Sequence, residues 1–129
     1  MTPAGLRWGA TATAALVLIV GAAFPAVVAE RAGAGVPWET VADGALYAAL
    51  PAVGLVWTVR LARDHRLASW AALVGAVLTL GLGVALYAAA LRPDARPSAP
   101  VLALAFVPLR QAVAVAFVAW AVWLARRTR

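Results

Sequence analysis

Six polar side chains sit in or beside stretches of this chain that are otherwise apolar: Glu39, Asp43, Tyr47, Tyr87, Arg110 and Gln111. A carboxylate beside a guanidinium in a low-dielectric setting forms an ion pair. If water reaches the pair, it becomes a site for an anion, a proton or a small solute. Arg110 is the most demanding of the six. It lies with Gln111 in the run Val101–Ala125, which carries no other charge; 13 residues separate it from Arg96 and 15 from Arg126. A membrane helix needs about 20 residues to cross the hydrocarbon, so Arg110 falls inside the span. There it costs about 2.5–3.5 kcal/mol on the insertion scale, which makes it a candidate functional residue.

Counting back from the tryptophans, Asp43 lies 14 residues before Trp57 and Arg110 lies 13 before Trp123. At about 1.5 Å per helical residue, both are expected roughly 20 Å from the tryptophan level. Tyr47 follows Asp43 by one turn and Glu39 precedes it by one turn. Tyr87 is close to the same depth. The expectation is an outer polar cluster of all six residues. Three readings of Arg110 follow: a solute or proton site, an ion pair with Asp43 that locks two helices, or a side chain snorkelling to the headgroups.

Other chemistry is poorly supplied. The chain has no cysteine and one histidine, His65, in the charged segment Arg63-Asp64-His65-Arg66. That excludes thiol chemistry and disulfides, and leaves no histidine in an apolar block to hold a haem. No metal-ligand spacing or phosphate loop is present, so no cofactor and no metal are expected.

The elements that must position these residues follow from hydropathy. Of 129 residues, 65% are apolar, and the mean hydropathy is +0.91. A soluble domain is nearer half apolar. Four apolar blocks carry the excess, predicting helices over about 8–29, 41–61, 67–91 and 101–125, all within one domain, 1–129. Thr40 and Asp43 have the spacing of a capping box opening the second helix. Pro25, Pro51 and Pro108 mark expected bend points that a membrane helix tolerates. The short connections favour an antiparallel up-down arrangement. The fold class expected is therefore all-α, an integral membrane antiparallel bundle of four transmembrane helices.

Two strips of residues recur at helical spacing. Ala71, Gly75, Thr79 and Gly83 form a small-residue face that lets helices approach closely. Asp43, Tyr47, Pro51, Gly54 and Thr58 form a second strip, expected to face the bundle interior.

The basic residues are all arginine, 11 against five acids, for a net charge of +6. They cluster at block ends, which fits a membrane topology and argues against nucleic acid as a partner. Arg7, Arg60, Arg63, Arg66, Arg126, Arg127 and Arg129 fall on one side, and Arg31, Arg92 and Arg96 on the other. The positive-inside rule then puts both termini in the cytoplasm. Five of six tryptophans fall at the same ends. A composition rich in Arg, Ala, Val, Gly and Pro points to a GC-rich prokaryotic genome, hence a prokaryotic cell membrane. One alternative stays open for Met1–Ala29: a cleaved signal peptide ending at Val27-Val28-Ala29.

The size and four-helix plan resemble small multidrug transporters, which carry an essential glutamate in the first helix. The first block here holds no ionisable residue, so the resemblance stops at hydropathy. The expected function is non-enzymatic: a small accessory or scaffold subunit packing against a membrane-protein partner, or associating with itself, in the lipid bilayer. The alternative is a small homo-oligomeric transporter or channel with its outer site around Asp43 and Arg110.

Overall fold

The computed structural model describes residues 1–33, 35 and 38–128. Among them are four α-helices: α1 (Pro3–Arg31), α2 (Trp38–Ala62), α3 (Arg66–Ala90) and α4 (Ala99–Arg127). Each is long and apolar enough to cross a membrane.

Local chemistry sets the ends. Thr2 caps α1 by accepting from the Gly5 amide at 3.2 Å, with Pro3 opening the first turn. Proline suits that position, because its missing N–H would have no helical partner anyway. α1 ends where Gly33 adopts a positive φ of 68°, a conformation glycine reaches without steric cost. Arg31, Arg60, Arg126 and Arg127 occupy last turns, at the negative ends of helix dipoles. α2 begins at Trp38, earlier than the predicted 41. Thr40 thus lies inside the first turn, and the proposed Thr40–Asp43 capping box does not cap α2. All three internal prolines are buried within continuous helix.

The helices form a bundle in which α1 packs on α2 and α3, and α4 packs on α2 and α3. The diagonals α1–α4 and α2–α3 touch little. The cyclic order is therefore α1–α2–α4–α3. The core is built from small side chains. One cluster contains Ala10, Ala14, Val17, Leu55, Ala72 and Val122; a second, nearer the α1–α2 connection, contains Phe24, Tyr87, Ala103 and Val107. Phe24 and Tyr87 stack with ring centroids 4.3 Å apart.

Glycines bring the helix backbones together. A methyl group added at Gly21 would strike Ala48, and one at Gly44 would lie 2.9 Å from both the Gly21 carbonyl and the Pro25 ring. The outer surface is also rich in large apolar side chains, with Leu46, Leu50, Val53, Leu78, Leu109 and Phe117 exposed. A helix that is hydrophobic all round suits a lipid surround rather than water.

Polar contacts tie the bundle ends. Arg7 pairs with Asp64 at 2.8 Å, the sole salt bridge among the described residues. His65 contacts the Thr128 carbonyl at 3.2 Å, so the start of α1, the α2–α3 turn and the end of α4 meet. Elsewhere, Arg31 donates to the Leu91 carbonyl at 3.0 Å. That bond caps the end of α3 from the end of α1.

Candidate functional site

The six residues of the expected polar cluster do not come together. Tyr87 and Gln111 are buried in the bundle, at 5% and 2% exposure. Glu39, Asp43, Tyr47 and Arg110 lie on outward surfaces. No ion pair joins Asp43 and Arg110 among the described residues.

Helical geometry explains the separation. The buried face of α2 runs through Gly44, Ala48, Pro51, Leu55, Thr58 and Ala62. Asp43 lies roughly a third of a turn from the middle of that face. Along the strip from Asp43 to Thr58, Asp43 and Tyr47 are exposed, whereas Pro51 and Thr58 are buried. The expectation that the whole strip faces the interior holds only for its lower part. Tyr47 and Thr58 differ by only about 20° around the helix, so the change from exposed to buried follows position along α2, where Val115 of α4 covers the strip at Gly54.

On α4, Val118 and Gln111 meet α3, and Val115 meets α2 at Gly54. Arg110 is turned about 80° from Val118 but about 140° from Val115. It sits on the α3 side of α4, away from α2 and hence from Asp43. Depth separates them further. The Gly54–Val115 contact sets residue 49 of α2 level with Arg110. Asp43 is then about 9 Å nearer the α2 N-terminus. The equal depth inferred from tryptophan spacing is corrected by this contact.

Gln111 is the polar residue that the bundle uses. Its Nε2 donates to the main-chain carbonyl of Thr79 at 3.1 Å. The space it occupies is opposite Gly83, where a methyl group would collide with the carboxamide. Gly75 faces Val118 in the same manner. Gly75, Thr79 and Gly83 are thus buried against α4, while Ala71 is half-buried. Thr79 Oγ1 donates back to the Gly75 carbonyl at 2.8 Å. Small side chains on α3 and an amide on α4 make a close, hydrogen-bonded seam.

The outward surface carries the unpaired chemistry. Arg110 lies eleven residues from Ala99 and seventeen from Arg127, so it is well within the apolar length of α4. Around it are Phe106, Leu109, Val113 and Phe117, all exposed. α4 is the least buried of the four helices over its apolar window. Among the described residues, no three of His, Asp and Glu are grouped to hold a metal ion.

Gln111 and Arg110 are neighbours in sequence, yet their side chains point in different directions. The Arg7–Asp64 pair and the double contact of His65 lie outside what the sequence pattern predicts. A signal for the latter existed: histidine directly before a helix start can cap it through a ring nitrogen.

No protein-family model, curated protein or solved structure matches this chain.

Proposed function

We propose that this chain is a non-enzymatic accessory or scaffold subunit of a prokaryotic cell membrane, and that α4 is its docking face. The observation that carries the reading is Arg110, exposed on the apolar outer surface of α4 with no ion-pair partner among the described residues. A guanidinium at that depth is costly against lipid. A partner helix bearing a carboxylate or amide would offset that cost.

The bundle is read as antiparallel with four crossings. Supporting pairs are Gly21 with Ala48 and Gly44 with Pro25 between α1 and α2, and Gly75 with Val118 and Gly83 with Gln111 between α3 and α4. In each, numbers rise on one helix as they fall on the other. Both termini are placed in the cytoplasm on the arginine asymmetry. The exposed tryptophans Trp8, Trp57, Trp70, Trp120 and Trp123 support the same assignment as interfacial anchors. The burial of Leu6, Ala10, Ala14 and Val17 in the common core supports a retained first helix over a cleaved signal peptide.

The alternative, a homo-oligomeric transporter or channel, draws on one observation: Asp43 and Arg110 are oppositely charged and both face outward. Any path using them would run between copies, with Asp43 of one copy meeting Arg110 of another.

The test is affinity capture of the tagged chain from its native membrane in mild detergent, with intact-mass analysis. A stoichiometric larger partner, lost on Arg110→Gln, is the expected result. Recovery of a defined homo-oligomer that needs both Asp43 and Arg110 would favour the alternative. Recovery of a monomer whose associations ignore Arg110 would reject the docking role of α4.

A further inference from the structure

We infer that the groove between α1 and α2 is a binding site for one anionic phospholipid, with an acyl chain along the groove and the phosphate on Arg60. The inference rests on the membrane reading above and is independent of the accessory role. The groove is an apolar trough of about 400 Å³. Its walls include Ala14, Ala15 and Leu18 of α1 and Val53, Val56 and Trp57 of α2. Alanines supply the floor, so the two helices leave a channel where larger side chains would fill it. From Val53 to Arg60 the trough runs roughly 10 Å along α2, enough for part of an acyl chain and too short for a helix.

The single charged residue of the trough is Arg60, at its end. A second hollow of about 290 Å³ continues from the same place, sharing Thr11 and Arg60 and adding Ala4, Arg7, Trp8 and Val59. An apolar compartment thus leads past an arginine into a more polar one. That sequence of chain, anion and headgroup is the shape of a phospholipid.

The charges agree. Arg7 is engaged by Asp64 at 2.8 Å. Arg60 is exposed and makes no hydrogen bond or ion pair with the described residues. Trp8 and Trp57 flank the site and are largely exposed. Such rings settle at the headgroup level, which sets Arg60 at phosphate depth. A lipid phosphodiester offers two anionic oxygens that the planar arginine fork binds through paired N–H donors.

The experiment is native mass spectrometry of the full chain in mild detergent. The added lipids are phosphatidylglycerol and phosphatidylcholine with identical acyl chains. The wild type is expected to retain phosphatidylglycerol about fivefold better, the effect of one favourable arginine–headgroup contact. Arg60→Gln should remove that preference and leave phosphatidylcholine retention unchanged. Ala15→Leu alters an exposed groove residue; it should lower retention of both lipids. Arg63→Gln, one turn away and outside the groove, should behave as wild type. Equal loss from Arg60→Gln and Arg63→Gln would overturn the site in favour of general surface charge. Unchanged lipid retention by Ala15→Leu would overturn it as well. Alkaline extraction of membranes separates the two levels of the argument: a chain that stays in the pellet but shows no lipid selectivity rejects the groove alone, and a chain released into the supernatant rejects the membrane reading beneath it.

Discussion

Gln111 reaches from α4 to donate its side-chain amide to the Thr79 carbonyl on α3, at 3.1 Å and out of solvent. The contact needs Gly83, since any side chain there would displace the carboxamide. Interhelical hydrogen bonds in membranes average about 0.6 kcal/mol and reach about 1.7. Gln111→Leu, close in volume, should therefore destabilise the bundle by no more than about 2 kcal/mol. Gln111→Glu should be worse at neutral pH, because an ionised carboxylate would face a carbonyl oxygen in a dry seam. Unfolding in mixed detergent micelles, followed by circular dichroism, would rank the two. Equal stability of Leu and Glu would show that the seam admits water.

Gly21 and Ala48 set the spacing of α1 and α2. A Cβ at Gly21 would run into the Ala48 methyl, which belongs to a rigid helix and has no rotamer to escape into. Gly21→Ala is expected to cost about 1–3 kcal/mol, the usual range for overpacking. Ala48→Gly in the same chain should recover much of that loss. A double-mutant cycle on thermal unfolding measures the recovery, and simple additivity of the two changes would refute the close approach.

Hydropathy made the four helices legible, because spans of apolar residues have one physical use at this length. Their ends were less so. Trp38, Glu39 and Thr40 are polar or amphipathic, yet they extend α2; a helix does not stop where the hydrocarbon does. The spacing of Gly75, Thr79 and Gly83 predicts a close-packing face, and the structure turns all three toward α4. The polar cluster was not legible. Depth was estimated along each helix, but rotation about the helix axis requires knowing which neighbours pack where. With α4 standing between α2 and α3 in the bundle, Asp43 and Arg110 end on different flanks. Charge alone could not reveal that.

His65 joins three segments. Its Nδ1 accepts from the Ala68 amide at 3.3 Å and its Nε2 lies 3.2 Å from the Thr128 carbonyl. An acceptor at Nδ1 places the proton on Nε2 in the neutral ring, so Nε2 donates to Thr128. His65→Ala removes both contacts and should cost about 1 kcal/mol, as for other lost N-caps. His65→Asn keeps an acceptor for the Ala68 amide and should recover most of it. Hydrogen exchange at the Ala68 amide reports the cap directly. Exchange in His65→Ala indistinguishable from wild type would mean that the ring nitrogen contributes nothing there.

Arg110 separates a stability role from a docking role. If it locked α2 to α4 by pairing with Asp43, removing it would destabilise the isolated chain, and Asp43→Asn would rescue the loss. The geometry predicts otherwise, since the two residues lie on different flanks and about 9 Å apart in depth. Arg110→Leu and Asp43→Asn should be additive within about 0.5 kcal/mol in the purified monomer. Arg110→Leu should leave that monomer as stable as wild type or more so, because a costly group on an apolar surface is replaced by one that lipid solvates. In native membranes the same substitution should reduce recovery of the partner several-fold. A carboxylate scan of the partner's apposed helix would then identify the residue whose loss matches it. Strong coupling between Arg110 and Asp43 in the monomer would instead place the pair inside one chain and remove the case for α4 as the docking face.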